Sequence, residues 1–217
     1  MNRPSTGVSL KDVLNKHKDE IMMETNCHAI GLIEEFNSSE QTCTVKINYL
    51  KTRLVRNQSG EYVETSYEYP LLLECPTIIY NGGGAGITMP ISQGDSCLVL
   101  FNDRDIDNWF SGSNGAPLAT SRKHSLSDGV VLVGLNNKSS LIQNYDTDNV
   151  NIYNGDSSIK IKTDKIVIDN GTDQLGALLR ELVDGVKSIV TTNGGSVNPA
   201  SQSTLEATMV KIEGLLE

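Results

Sequence analysis

The 217-residue chain is poor in aromatic surface and in positive charge. Aromatic residues make up 5% of it, and 18 Lys plus Arg face 27 Asp plus Glu, a formal charge of −9. Nucleic-acid binding needs cations for the phosphates and, for single strands, rings on which bases stack, so no nucleic-acid partner is expected. No run approaches the twenty apolar residues of a membrane-spanning helix. The opening stretch, MNRPSTGVSLKDVLNKHKDE, has no apolar core segment, so no secretory signal is expected and synthesis in a cytoplasm is. Cys27, Cys43, Cys75 and Cys97 form no Cys-x-x-Cys pair, which predicts buried reduced thiols rather than a zinc site. A Gly-x-Ser-x-Gly elbow is lacking, and the glycines from Gly82 to Gly86 lack the lysine and helix of a phosphate loop.

What is present reads as mainly β. An N-terminal arm, residues 1–26, contains an amphipathic helix from Val8 to Glu24. Leu10, Val13, Leu14, His17, Ile21 and Met22 stand near helical spacing, with a Ser9/Asp12 capping box. Two strands follow, His28–Ile33 and Thr42–Ile47, joined by the polar turn Asn37–Glu40. Val55–Tyr69 suggests a hairpin, Leu71–Cys75 another strand, and Asn81-Gly82 a tight turn. Pro90 and Gly94 flank a bend into the apolar strand Ser96–Phe101. Short strands in this order suit a small Greek-key barrel of the OB type over residues 27–128.

From residue 129 the pattern changes. Val150-x-Ile152, Ile159-x-Ile161 and Ile166-x-Ile168 are apolar pairs alternating with polar residues, and the last two steps are seven residues each. Turn formers such as Asn154-Gly155 separate them. One chain offers only a thin apolar face here. Three copies about a three-fold axis would bury these residues against one another, as a triple-stranded β-helix over residues 129–171; the alternative is an ordinary β-meander. Residues 172–217 read as a helical hairpin. Its first helix carries Leu175, Leu178, Leu179, Leu182, Val186 and Ile189. After a polar loop, Thr192–Ala200, a Ser203/Glu206 capping box opens the second. Apolar stripes on both predict a trimeric bundle. The expected trimer core is therefore Val150, Ile152, Ile159, Ile161, Ile166, Ile168, Leu175, Leu178, Leu182 and Ile189.

Asp103, Asp105 and Asp107 alternate beside Trp109, and paired carboxylates near an aromatic can cleave glycosidic bonds. On a strand, however, alternation would put all three on one face, suited to solvent or cations rather than to acid/base tuning. No catalytic residue, cofactor or metal is expected.

The stretch from Tyr80 to Gly134 resembles the N-terminal domain of the phage gp138-like baseplate spike proteins. The resemblance is carried by the glycine-rich turn, Pro90, Gly94-Asp95, Arg104-Asp105-Ile106-Asp107-x-Trp109, Pro117, and Arg122-x-His124-x-Leu126-Ser127-Asp128. It implies a homotrimeric central spike of a contractile tail baseplate, located in the virion, with the barrel as a trimerising collar. It also implies seating on a hub protein and transient contact with the host envelope. The family's tip iron on a His-x-His motif does not carry over, because His17, His28 and His124 are the only histidines. A separate tip protein on the C-terminal helices is a further possible partner. The runners-up are a carbohydrate-binding β-solenoid, for which this region offers only Tyr145 and Tyr153, and an OB-fold nucleic-acid binder.

Overall fold

A computed structural model of the chain describes residues 9–189 and 194–216. Residues 1–8 of the expected arm, Val8 included, and residues 192–193 of the expected loop lie outside the described residues. The described residues form two compact units, divided between Ser140 and Leu141.

In the first unit, helix α1 spans Leu10–Glu24. Ser9 caps it as expected: its hydroxyl accepts from the Asp12 amide at 3.2 Å, and the Asp12 carboxylate accepts from the Ser9 amide at 3.2 Å. The helix buries none of its residues. Strands β1 (His28–Asn37) and β2 (Thr42–Ile47) pair antiparallel about the turn that Asn37 organises by accepting from the Ser39 amide. Strands β3 (Lys51–Arg56) and β4 (Tyr62–Tyr67) make a separate hairpin, followed by β5 (Leu72–Pro76). Strands β6 (Tyr80–Gly82) and β7 (Ala85–Ile87) turn at Gly83 and Gly84, with φ of +59° and +83°. The turn sits beyond the expected Asn81-Gly82 because two successive positive φ values suit glycine best. Strand β8 (Ser96–Phe101), the short helix α2 (Asp107–Phe110), a 3-10 turn at Leu126–Asp128 and strand β9 (Gly129–Val133) complete the unit.

Five strands form one antiparallel sheet in the order β5-β2-β1-β8-β9. The sheet curls into a half-barrel. A parallel bridge between Thr77 and Val131, with the Ile78 amide donating to the Val131 carbonyl at 2.8 Å, brings its two ends together. Strand β9 belongs to this sheet, although the change of pattern near Val130 suggested that the repeat region begins there. Alternation on β2 and β8 turns Cys43, Val45, Ile47, Cys97, Val99 and Phe101 inward, onto Ile33 and Val131. Burying each such aliphatic side chain stabilises the fold by about 1.5–3 kcal/mol. Gly31 lets β1 pass close to this core, since a β-carbon there would collide with the Val45 side chain.

In the second unit, β10 (Val150–Asn154), β11 (Ser157–Ile161) and β12 (Ile166–Asp169) form an antiparallel sheet within the chain. Helix α3 (Leu175–Lys187) and helix α4 (Pro199–Leu215) follow. Helix α4 does not begin at the expected Ser203/Glu206 box. Asn198 caps it by accepting from the Ala200 amide at 2.8 Å, Pro199 occupies the first turn, and the Ser203 hydroxyl donates to the Pro199 carbonyl inside the helix. Proline costs no hydrogen bond in a first turn, so Asn-Pro outcompetes the later serine.

Candidate functional site

Four of the motif residues, Asp105, Asp107, Arg122 and Asp128, converge on one ionic cluster in the first unit, with Asp105 and Asp128 buried. Asp105 and Asp107 lie in the loop after β8 and at the start of α2, not along a strand as their alternation suggested. Arg122 reaches across to them. Its Nη2 lies 2.8 Å from Asp128 Oδ1, 2.8 Å from Asp107 Oδ1 and 3.4 Å from Asp105 Oδ1, while its Nε donates to Asp128 Oδ2 at 3.1 Å. The Asp128 side chain is fully buried; its Oδ1 also accepts from the Ile106 amide at 3.2 Å. Asp105 Oδ1 accepts from the Asp107 amide at 2.8 Å. One guanidinium thus holds three carboxylates from two ends of a loop of about two dozen residues.

The electrostatics follow from this geometry. Hydrogen bonding from Thr120, and next from the Asp107 amide, holds the Asp105 carboxyl below the usual range. Asp128, and then Asp107, raise the affinity of Arg122 for its proton. Asp105 is therefore an anion at neutral pH and has no proton to donate. The three carboxylates lie close enough to hold a cation, but the Arg122 guanidinium already fills that role. The cluster is a clasp. It fixes α2, where Asn108 Nδ2 also donates to the Pro117 carbonyl at 2.6 Å, and it presents Trp109 at 56% exposure. The sequence signal for the pair is the six-residue step from Arg122 to Asp128, which closes the 3-10 turn.

Pro90, Gly94 and Asp95 form the bend into β8. Gly94 has φ +92°, its amide donates to the Ile33 carbonyl at 2.8 Å, and Asp95 Oδ2 accepts from the Ser92 amide at 2.8 Å. Beside this bend runs an open apolar groove of about 410 Å³, lined by Phe36, Ile78, Ile87, Met89 and Leu132 among others, with Asp95 its one charged lining residue. Of the four cysteines, Cys43, Cys75 and Cys97 are buried but Cys27 is exposed, which corrects the expectation for that residue. Burial pushes the Cys75 thiol up to about 12 and the Cys97 thiol up to about 11.

The second unit leaves uncovered the residues that the repeat singled out. Across β10 and β11, Val150 stands opposite Ile161 and Ile152 opposite Ile159; across β11 and β12, Ile159 stands opposite Ile168 and Ile161 opposite Ile166. Directly opposed residues share a face, so all six occupy one side of the sheet. Val150, Ile152, Ile159, Ile161 and Ile168 are exposed and Ile166 is half-buried. The other side carries Asn151, Tyr153, Lys160 and the buried Val167, and Lys160 Nζ lies 3.6 Å from Asp146. On α3, Leu175, Leu178 and Leu182 are exposed, as is Ile189 just beyond its end. Leu179 and Val186, expected on the same face, are half-buried.

Among known protein families, residues 30–134, just under half of the chain, fit the family model described as the phage protein Gp138 N-terminal domain. A search of curated proteins finds no match.

Proposed function

We propose, from the premise that this chain carries the Gp138 N-terminal domain of a gp138-like phage protein, that it is a structural protein of the virion, the central spike or spike-hub element of a contractile tail baseplate. Its working form is a homotrimer that passes sheath contraction to the host envelope as a stiff rod, without an enzymatic step.

The observation that carries this reading is the uncovered face of six β-branched side chains in the second unit. Monomeric soluble proteins rarely expose a contiguous aliphatic face of this kind, and second and third copies of the same sheet would supply the missing cover. Winding three such chains together as a β-helix would also pair the sheet edges. In the first unit, the curled sheet with its parallel bridge at Thr77 and Val131 supports the OB-type barrel of this reading. The Arg122 clasp and the exposed Trp109 suit a collar that seats on a hub protein, because a rigid, exposed indole is a common anchor of protein interfaces. The acidic balance argues against the nucleic-acid reading.

A polar groove on the second unit, with Tyr145 and Tyr153 beside Asp146, Asn151 and Lys160, favours the carbohydrate-binding alternative as the second reading. Two measurements separate them. Light scattering on the full chain gives about three times 23.6 kDa for the spike, and antibodies against it label the baseplate of intact virions by electron microscopy. A monomer, or heat released on titrating envelope polysaccharides, favours the second reading.

A further inference from the structure

We propose that α3 forms the inner layer of the C-terminal assembly: three copies pack in parallel about the axis, and α4 lies outside them. The inference rests on the trimeric reading above.

Helix α3 carries two apolar stripes. Gly176, Leu179, Val183 and Val186 face their own chain, with Gly176 and Val183 buried and the other two half-buried. Leu175, Leu178, Leu182 and Gly185 make the second stripe, and all four are exposed, Leu182 at 63%; the exposed Ile189 lies just beyond the helix end. The steps along this second stripe are three, four and three residues, the spacing of a coiled-coil seam. Such a seam fits a copy of itself, since each side chain enters a hole made by the same stripe on the neighbour. Copies related by a rotation axis run parallel along it.

Helix α4 has no comparable free seam. Leu205, Met209, Ile212 and Leu216 follow steps of four, three and four, but all are half-buried within the chain, and Lys187 Nζ lies 3.6 Å from Glu206 of α4. Its exposed large side chains are Val210 and Leu215, too few and too far apart for a seam. One helix therefore has its apolar face occupied, and the other retains a free face of the right period. The partner that fits the free face is a second and third copy of this chain.

The test is site-directed cross-linking of the full chain in a Cys27→Ser background. Mild oxidation with copper-phenanthroline and oxygen converts two facing thiols into a disulfide, the oxidant taking two electrons and two protons leaving. Residues on a parallel axial seam meet their own counterparts, so L175C and L182C each give a two-chain band on a non-reducing gel, and D184C does not. A trimer by light scattering with no band from L175C or L182C overturns the inference and leaves the trimeric reading standing. A band from L182C but not L175C overturns the parallel arrangement. A monomeric chain overturns both.

Discussion

Ile152 and Ile159 stand directly opposite each other across β10 and β11, and both point to solvent in the single chain, at 57% and 42% exposure. A buried hydrophobic pair of this kind is ordinary. An exposed one, extended by Val150, Ile161 and Ile168 on the same face, is the surface that the proposed trimer would cover. Replacing Ile159 by Asp puts a charge at the centre of that face. The expected outcome is a fall in mass from about three times 23.6 kDa to 23.6 kDa by light scattering, with the circular dichroism of the first unit retained. An unchanged trimer would show that this face is not the contact.

The Arg122 clasp predicts a stability effect without any loss of chemistry. Asp128 is fully buried, and its two oxygens take up Arg122. Asp128→Ala removes two of the guanidinium's bonds and leaves it with Asp105 and Asp107 alone. Breaking a buried pair on one side costs on the order of 3 kcal/mol. Chemical denaturation followed at Trp109, the chain's one tryptophan, reads this directly, because α2 is the element the clasp holds.

Much of this was legible from the sequence, for physical reasons that differ by element. Alternation located β2, and the apolar run Ser96–Phe101 located β8, which is buried or half-buried along its whole length. The Ser9/Asp12 box placed the start of α1 because its two hydrogen bonds are local. The same logic failed at Ser203, where Asn198-Pro199 offers an earlier start that also satisfies the first amides. The Arg122 clasp was less legible. Its members were singled out by resemblance, but Asp105 and Asp107 were placed on a strand, and nothing in their spacing shows that a loop returns Arg122 to them. Division of α3 into two stripes was invisible too, because Leu179 and Leu182 look alike until a neighbour covers one of them.

Acid should weaken the first unit over a narrow window. The Asp105 carboxyl is held below its ordinary value in the folded chain, so its contribution to stability is fully present above the unfolded value of roughly 3.9. It is lost as the pH falls from there through the lower folded value. Asp146, depressed by hydrogen bonds from the Asp148 amide and Asn149, does the same in the second unit. Thermal melts at pH 7 and pH 5 should therefore agree closely so far as these groups are concerned, and melts below pH 4 should fall. Asp105→Asn should flatten the acid limb of a Trp109 fluorescence curve.

Thiol accessibility distinguishes Cys27 from the rest. Cys43, Cys75 and Cys97 are buried, and the last two are pushed up to about 12 and about 11, so the reactive thiolate is scarce at pH 8. A disulfide reagent such as Ellman's should label one thiol per chain quickly in the native protein and four in denaturant. Cys27→Ser should remove the fast phase alone.

Gly185 offers the sharpest quantitative check on the inner helix layer. It sits inside α3, on the exposed stripe, and a β-carbon added there meets nothing within 4 Å in the single chain. Helix propensity alone makes Gly185→Ala more stable by about 0.5–1 kcal/mol per chain. Leucine has nearly the propensity of alanine, so on a solvent-facing helix Gly185→Leu should match Gly185→Ala. In a seam between three helices the leucine instead fills an axial layer and gains a further ~1.5 kcal/mol or more from burial. The difference between the two variants in denaturant midpoint thus isolates burial from propensity. A clear excess for leucine places Gly185 on the axis, and equal midpoints leave it in water.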